Sequence, residues 1–484
     1  MRAQLPVLPV LLPLLGALLQ PIVGLATRRA SWPLAVLTAA VTAGAGIAGL
    51  LDVLARGPRR YWVGGWAPPW GIEIVLDPLS AFTVCVIAVV ATLTLLAGGP
   101  SARATFGGEE RTYYALALLL VTGLLGMVVS GDLFNIFVFL EVASISSYAL
   151  VASGGGPALA AAFRYVVMGT VGASFYLLGV GCLYALTGTL NIADLIVRLP
   201  TATDSPLFTG GIAFMVVGLA IKMGLFPLHS WLPDAYTWAP APVTAVMAPI
   251  ATKAAAYVLA RVLLYVLKPE SLPVGATLAW AGAVAILAGG ALAAREPDAR
   301  RLLAYSSVSQ MGYIALGFGL GVQQALAGAY LHILAHALMK AALFVALAAA
   351  VLDGRGPTLT ALRLGQRMPV TGACAVIAAL SMVGVPPVAG FFSKWYLLQG
   401  AVAAGQPVLA GAILTGSLLA AVYMYRLTEA VWFGPPRAAG GPPEAPTPLL
   451  VGLVALTVAT VVVGLGNAEL FMDVLEPAAA GAAR

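Results

Sequence analysis

The chain has 484 residues, 61% of them hydrophobic and 9% charged, with a mean hydropathy of +0.97 and a net charge of +6. Soluble domains run near a quarter charged residues, so this composition excludes a large soluble core and calls for an integral membrane protein. The cysteines Cys85, Cys182 and Cys374 lie singly in apolar stretches with no CxxC pattern; neither a disulfide framework nor a metal or cofactor site is expected from them, and no nucleic-acid partner is expected either.

At about 20 apolar residues per crossing, fourteen spans are predicted in an all-α membrane fold. They lie at 5–26, 33–54, 78–98, 112–130, 132–152, 161–187, 207–227, 242–267, 272–293, 301–320, 324–352, 370–402, 406–433 and 448–468. The first, within MRAQLPVLPVLLPLLGALLQPIVGLA, has the look of a signal peptide. Its long apolar run lacks a clear A-x-A site, which favours a spanning helix. The connection 56–75 is rich in Trp, Tyr, Gly and Pro and reads as an interfacial loop or small hairpin. NIADLIVRL (191–199) is too short to span and mixes charge with leucine, which predicts a surface helix. No soluble domain is expected at either end.

Orientation follows from where Lys and Arg fall. Loops after odd-numbered spans hold Arg28, Arg29, Arg103, Arg111, Arg164, Arg295, Arg300, Arg301, Arg355, Arg363, Arg367 and Arg437. The termini and the loops after even-numbered spans hold Arg2, Arg56, Arg59, Arg60, Arg198, Lys268 and Arg484. The bias puts odd loops in the cytoplasm and both termini outside, in a bacterial or archaeal plasma membrane.

The stretch 218–261 organises the rest. Lys222 and Lys253 sit inside apolar runs, with Pro227, His229, Pro233 and Asp234 between them. A charge near the bilayer centre costs about 2.5–3.5 kcal/mol on insertion scales and is by default a functional candidate. A proline there frees a carbonyl that protein or water must satisfy. The seventh span reads KMGLFPLHSWL and the twelfth GVPPVAGFFSKWYLLQG, so each joins one lysine to a proline break. They stand five spans apart; five is odd, so two five-helix units would be inverted repeats, a usual pointer to a transport site.

Beyond loop residues the intramembrane charges are Glu141, Lys222, Lys253, Arg261, His332, His336, Lys340, Lys394, Arg426 and Glu429. Arg261, Arg426 and Glu429 lie near helix ends, where snorkelling to the interface is the simpler reading. Glu141 lies nine residues past Asp132, about 13 Å into its helix. An isolated carboxylate at that depth prefers its neutral form, and a lysine beside it preserves the charge. His332, His336 and Lys340 follow at i, i+4 and i+8 and line one stripe. Zinc needs three or four ligands, and none clusters with the two histidines; a proton relay or backbone hydrogen bonding is open to them. The basic, polar segment 295–313 suggests on its own only an anchored helix start.

Taken together, GDLFNIFVFLEVASISSYAL, KMGLFPLHSWLPDAY, APAPVTAVM, ATKAAAYVLARV, RRLLAYSSVSQMGY, HALMKAALF and GVPPVAGFFSKWYLL resemble the antiporter-like membrane subunits shared by Mrp-type sodium/proton antiporters, respiratory complex I and membrane-bound hydrogenases. Within that superfamily GDLFNIFVFLE, GTLNIADLIVRL and the short C-terminus look most like the D-type subunit of Mrp complexes. The resemblance implies that Glu141 and Lys222 form the ion pair of a first half-channel and that Lys253 is a central relay. It implies that His332, His336 and Lys340 carry the axis to Lys394 in a second half-channel, with His229 and Asp234 shaping cytoplasmic access. Gln310 stands where many relatives carry His, a departure that would alter a side branch of the water path. The expected organisation is 1–110 (first three helices and the interfacial loop), 111–268 and 269–433 (the two repeats) and 434–484 (the last helix). The expected function is non-enzymatic proton translocation within an Mrp-like sodium/proton antiporter. The alternative is the same role in a complex I-type or hydrogenase-type redox pump; a stand-alone organic-solute carrier fits less well. Either way the partners are other membrane subunits, protons, sodium and the lipid bilayer.

Overall fold

Each long apolar run of the sequence becomes a helix in the computed structural model, which describes residues 4–201, 203–269, 272–354, 356–362, 364–365, 367–433 and 444–481. Arg2, Arg355, Arg363, Arg437 and Arg484, used above for orientation, lie outside the described residues. In chain order come α1 (Leu8–Ala26), α2 (Ser31–Arg56), the antiparallel hairpin β1 (Arg59–Trp62) and β2 (Glu73–Leu76), α3 (Pro78–Phe106), α4 (Glu110–Val129) and α5 (Leu133–Ala152). Next are α6 (Pro157–Thr187), the short α7 (Ile192–Arg198), α8 (Pro206–Met223), α9 (Trp231–Trp238) and α10 (Ala241–Ala260), which runs on into a π-helical stretch, Arg261–Leu267. The second half holds α11 (Val274–Arg295), α12 (Ala299–Leu320), α13 (Gln323–Leu352), the single turn α14 (Leu359–Leu362), α15 (Pro369–Val383), α16 (Ala389–Ala403), α17 (Pro407–Trp432) and α18 (Thr447–Leu465).

Among the described residues twelve helices are long and apolar enough to cross a bilayer. The polar α12 and the broken pair α15/α16 complete the fourteen passes expected. The hairpin and α7 also fall where composition placed them. Carboxylates start several helices: Asp77 forms a reciprocal capping box with Ser80 on α3, Asp132 caps α5 and Asp298 caps α12.

The seventh and twelfth spans are interrupted, as their prolines require. Helix α8 stops at Gly224, whose φ of 69° is left-handed, and the chain turns through Leu225–Ser230 before α9. The twelfth span, expected as one run over 370–402, divides at Gly384 (φ 91°), Pro386 and Pro387 into α15 and α16. At the first break the Trp231 indole donates to the freed Ile221 carbonyl at 2.8 Å. At the second, the Lys394 ammonium donates to Met382 O at 2.8 Å and to Val383 O at 3.1 Å. Both breaks therefore satisfy their loose carbonyls within protein.

Helix α13 is the centre of the bundle. It is buried along nearly its whole length and packs against α3, α10, α12, α15, α16 and α18. Leucines of α1 and α2 such as Leu18, Leu25, Leu37 and Leu51 face outward at the periphery. On one face the hairpin, the α4–α5 turn and α7 are tied together, with Gly131 N–H donating to Glu73 O at 2.8 Å and Ile192 N–H to Gly131 O at 2.9 Å. The segment 295–313 is more than the anchored start its composition suggested. Ser306, Ser307, Ser309 and Gln310 are fully buried, so α12 presents polar groups to the bundle interior.

Candidate functional site

The acidic end of the site forms between α5 and the last turn of α8. Lys222 Nζ lies 3.9 Å from Glu141 Oε1 and donates to Ser144 Oγ at 2.8 Å and Tyr148 OH at 3.4 Å. Glu141, Ser144 and Tyr148 occupy i, i+3 and i+7 of α5, one stripe of that helix. Tyr148 packs edge-on against Tyr165, which stacks on Trp231 of α9 with ring centroids 4.2 Å apart. Gly169 makes room for this arrangement, since a Cβ there would strike the Tyr148 hydroxyl. The Lys222 side chain is 9% exposed and that of Glu141 30%, which places the carboxylate at the bundle edge and the amine inside. Beyond Lys222 a cavity of about 30 Å³ reaches the wall of α10 between Ala251 and Ala255. That is enough for water.

Lys253 of α10 is wholly buried and donates to Ala248 O at 3.0 Å and Thr252 Oγ1 at 3.2 Å. Its helix packs against α13, which carries Lys340, His336 and His332. Lys340 Nζ donates to the Leu303 carbonyl and, at 2.6 Å, to Ser306 Oγ, both on α12. The His336 and His332 rings lie nearly parallel, 6.1 Å between centroids, and neither nitrogen of the buried His336 has a protein partner. The Lys394 ammonium lies 4.7 Å from the Tyr313 ring centroid. The same ring stands 5.4 Å from His332. The seven expected residues thus lie on five helices, with Glu141 paired to Lys222 at one end, His332 and His336 stacked and Lys394 beside Tyr313 at the other, and Lys253 buried on α10.

His332 is the most fully specified of these groups. Nε2 lies 2.9 Å from Gln310 Oε1, and Nδ1 lies 2.8 Å from Ser393 Oγ. The amide oxygen can only accept, so Nε2 carries the proton and the Ser393 hydroxyl donates to Nδ1. A second proton on the ring needs no movement of heavy atoms. Nδ1–H then donates to Ser393 Oγ, and the hydroxyl turns to Gly390 O, 3.1 Å away. Gln310 is thereby a direct partner of His332 and sets the tautomer, whereas the sequence suggested only a side branch. With both ring nitrogens engaged, His332 also has none left for a metal.

His229 and Asp234 lie together on the face opposite the hairpin. Asp234 bridges Arg164 at 2.5 Å and Arg301 at 3.2 Å, and Arg301 also meets Glu296 at 3.4 Å. Arg301 lies over Tyr305, whose ring is 6.3 Å from that of His229. His229 lies in the turn between α8 and α9, its ring 5.1 Å from that of Phe226.

One expectation is overturned. Arg261 does not snorkel; its side chain is 17% exposed and pairs at 2.5 Å with Asp77, itself 9% exposed. Position near a helix end misled because Asp77, which caps α3, brings a buried carboxylate to that end. Sequence reasoning also passed over Ser144, Tyr148, Ser306 and Ser393. For Ser144 and Tyr148 the i+3 and i+7 spacing from Glu141 was a usable signal; for Ser306 and Ser393 no local pattern gives the partner, which comes from another helix.

A family model described as NADH:quinone oxidoreductase/Mrp antiporter, TM, matches residues 130–420, which hold all of the expected residues from Glu141 to Lys394. The chain belongs to that family. It is 44% identical over 498 residues to the N-type subunit of the NADH-quinone oxidoreductase of Desulforudis audaxviator, covering 98% of each chain. To the D-type subunit of the Na(+)/H(+) antiporter of Bacillus subtilis it is 31% identical, covering 88% of this chain and 86% of the relative. Among solved structures it resembles a chain of the membrane-bound sulfane sulfur reductase, an archaeal respiratory membrane complex, with a TM-score of 0.91 and 31% identity over 99% of this chain and 98% of that one. It also resembles a chain of the Mrp complex from a Dietzia species, with a TM-score of 0.89 and 27% identity over 99% and 97%. It is a multi-pass, antiporter-like membrane subunit, as its motifs implied.

Proposed function

We propose that this subunit moves protons along the row Glu141–Lys222–Lys253–Lys340/His336/His332–Lys394, as part of a multisubunit membrane assembly. The observation that carries the reading is the burial of three lysines and two histidines inside one bundle, the two imidazoles stacked 6.1 Å apart, where a static structural role would leave so many titratable groups costly. Asp234 and His229 shape the access from the face opposite the hairpin. The units 111–268 and 269–433 act as two half-channels, each built on a broken helix. Their breaks are inverted in chain sense, with Lys222 before its break and Lys394 after it.

The choice of assembly turns on likeness. The 44% identity to a quinone-oxidoreductase subunit and the fold match to a respiratory reductase chain favour a redox-driven pump. The second reading is an Mrp-type sodium/proton antiporter in a bacterial or archaeal plasma membrane, favoured by the Mrp fold match and the GDLFNIFVFLE form. The test of the shared claim is Lys222→Ala and Glu141→Ala in the purified, reconstituted complex. Transport is expected to vanish with assembly intact; undiminished transport in both variants refutes the claim. Co-purifying proteins decide between the two assemblies.

A further inference from the structure

Two cavities meet at Lys268, the residue that ends the π-helical stretch of α10. One, of about 220 Å³ on the hairpin face, is lined among others by Arg60, Glu73, Asp77, Arg261 and Lys268. The other, of about 300 Å³, is lined by Lys268 together with apolar groups that include Leu263, Leu264, Val274, Leu278 and Phe318. In the first cavity both carboxylates already have partners. Glu73 accepts from Arg60 at 3.1 Å and from Asn191 at 3.2 Å, and Asp77 pairs with Arg261 and accepts from the Ser80 N–H. Lys268 is exposed and has no ion-pair partner among the described residues, so it tips this cavity to a net positive charge. Its φ of 39° is left-handed, a conformation that glycine and asparagine take more readily, so the backbone gives no reason for an ammonium there. The apolar spans Ala241–Leu267 and Val274–Arg295 flank it. Lys268 therefore stands where hydrocarbon gives way to lipid headgroups. Trp62, Trp66 and Trp70, on the hairpin that walls the first cavity, are exposed, as tryptophans of that layer are.

We propose that the two cavities together hold one anionic phospholipid, its phosphate in the hairpin cavity beside Lys268 and an acyl chain in the apolar one. A free phosphate would use the first cavity and leave the second empty. An uncharged hydrocarbon chain would use the second and make nothing of Lys268. A negative head joined to an apolar tail engages both, the tail supplying affinity through burial and the ammonium selecting for charge. The site lies apart from the proton row and does not depend on it.

The test uses the intact complex, delipidated in a non-ionic detergent and given phosphatidylglycerol with a diazirine in one acyl chain. After illumination the labelled peptides are identified by mass spectrometry, and label is expected on 263–269 and 274–278, which wall the apolar cavity. Phosphatidylcholine carrying the same diazirine should label them about fivefold less, the weight of one cation beside an anionic lipid. Lys268→Asn, which suits the left-handed backbone, should bring phosphatidylglycerol down to that level, and Lys268→Arg should keep the wild-type signal. Val274→Trp, which fills the apolar cavity, should cut the label from both lipids. Excess glycerol 3-phosphate should not compete, which separates a lipid from a free phosphate. Equal labelling by the two lipids, an unchanged signal in Lys268→Asn or Val274→Trp, or competition by glycerol 3-phosphate overturns the site. So does an absence of label on these segments, the result expected if another subunit covers them.

Discussion

Replacing Glu141 by Gln removes one charge and almost no volume, and its effect can be worked from the geometry. Unit charges 3.9 Å apart attract by about 4 kcal/mol at an effective dielectric near 20. The carboxylate is 30% exposed, and screening there brings the figure to about 2 kcal/mol. If holding the proton at Lys222 limits transport, that loss slows it about 30-fold. Glu141→Asp keeps the charge but withdraws it by about one C–C bond, which weakens the attraction by roughly a quarter and predicts a loss of about two- to threefold. The assay is proton translocation by the reconstituted complex, followed with a pH-sensitive dye. Because the two residues act as a unit, Glu141→Gln added to Lys222→Ala should do no further harm. A Glu141→Gln rate within about twofold of wild type, with assembly intact, would refute the reasoning.

Other substitutions probe different parts of the row. Gln310→Leu leaves the His332 Nε2–H buried without an acceptor, at a cost of about 1–3 kcal/mol; translocation is expected to drop about tenfold, and a lower thermal midpoint should accompany it. Gly390→Ala drives a Cβ against the Ser381 carbonyl oxygen at the α15–α16 break. Such overpacking costs about 1–3 kcal/mol, so a fluorescence melt of the complex should show reduced stability. Asp234→Asn loosens Arg164 and Arg301, which are 68% and 33% exposed. Pairs that open to water are worth less than about 1 kcal/mol each, so transport should change only a fewfold, and less at high salt.

The passes of the bundle were legible because the period of apolar runs in lipid is long and regular. The breaks after Lys222 and before Lys394 were legible too, since proline and glycine mark them locally. The row itself was half legible: the lysines, the histidines and Glu141 stand out as charges where charge is costly. Their partners do not. Ser306 and Ser393 are ordinary hydroxyls whose meaning appears only when α12 and α16 close on α13. Arg261 shows the converse: its place near a helix end suggested water, and only the Asp77 carboxylate brought from the start of α3 gives it a buried partner.

Lys253 is the only charge of the row on α10, between the Glu141–Lys222 pair and the groups of α13. The most direct test of the account is therefore proton translocation by Lys253→Met in the assembled complex, a change that keeps an unbranched side chain and removes the amine. Translocation should be lost while Glu141, Lys222, the α13 groups and Lys394 all remain in place. A wild-type rate from that variant would mean that protons cross without passing the centre of the row.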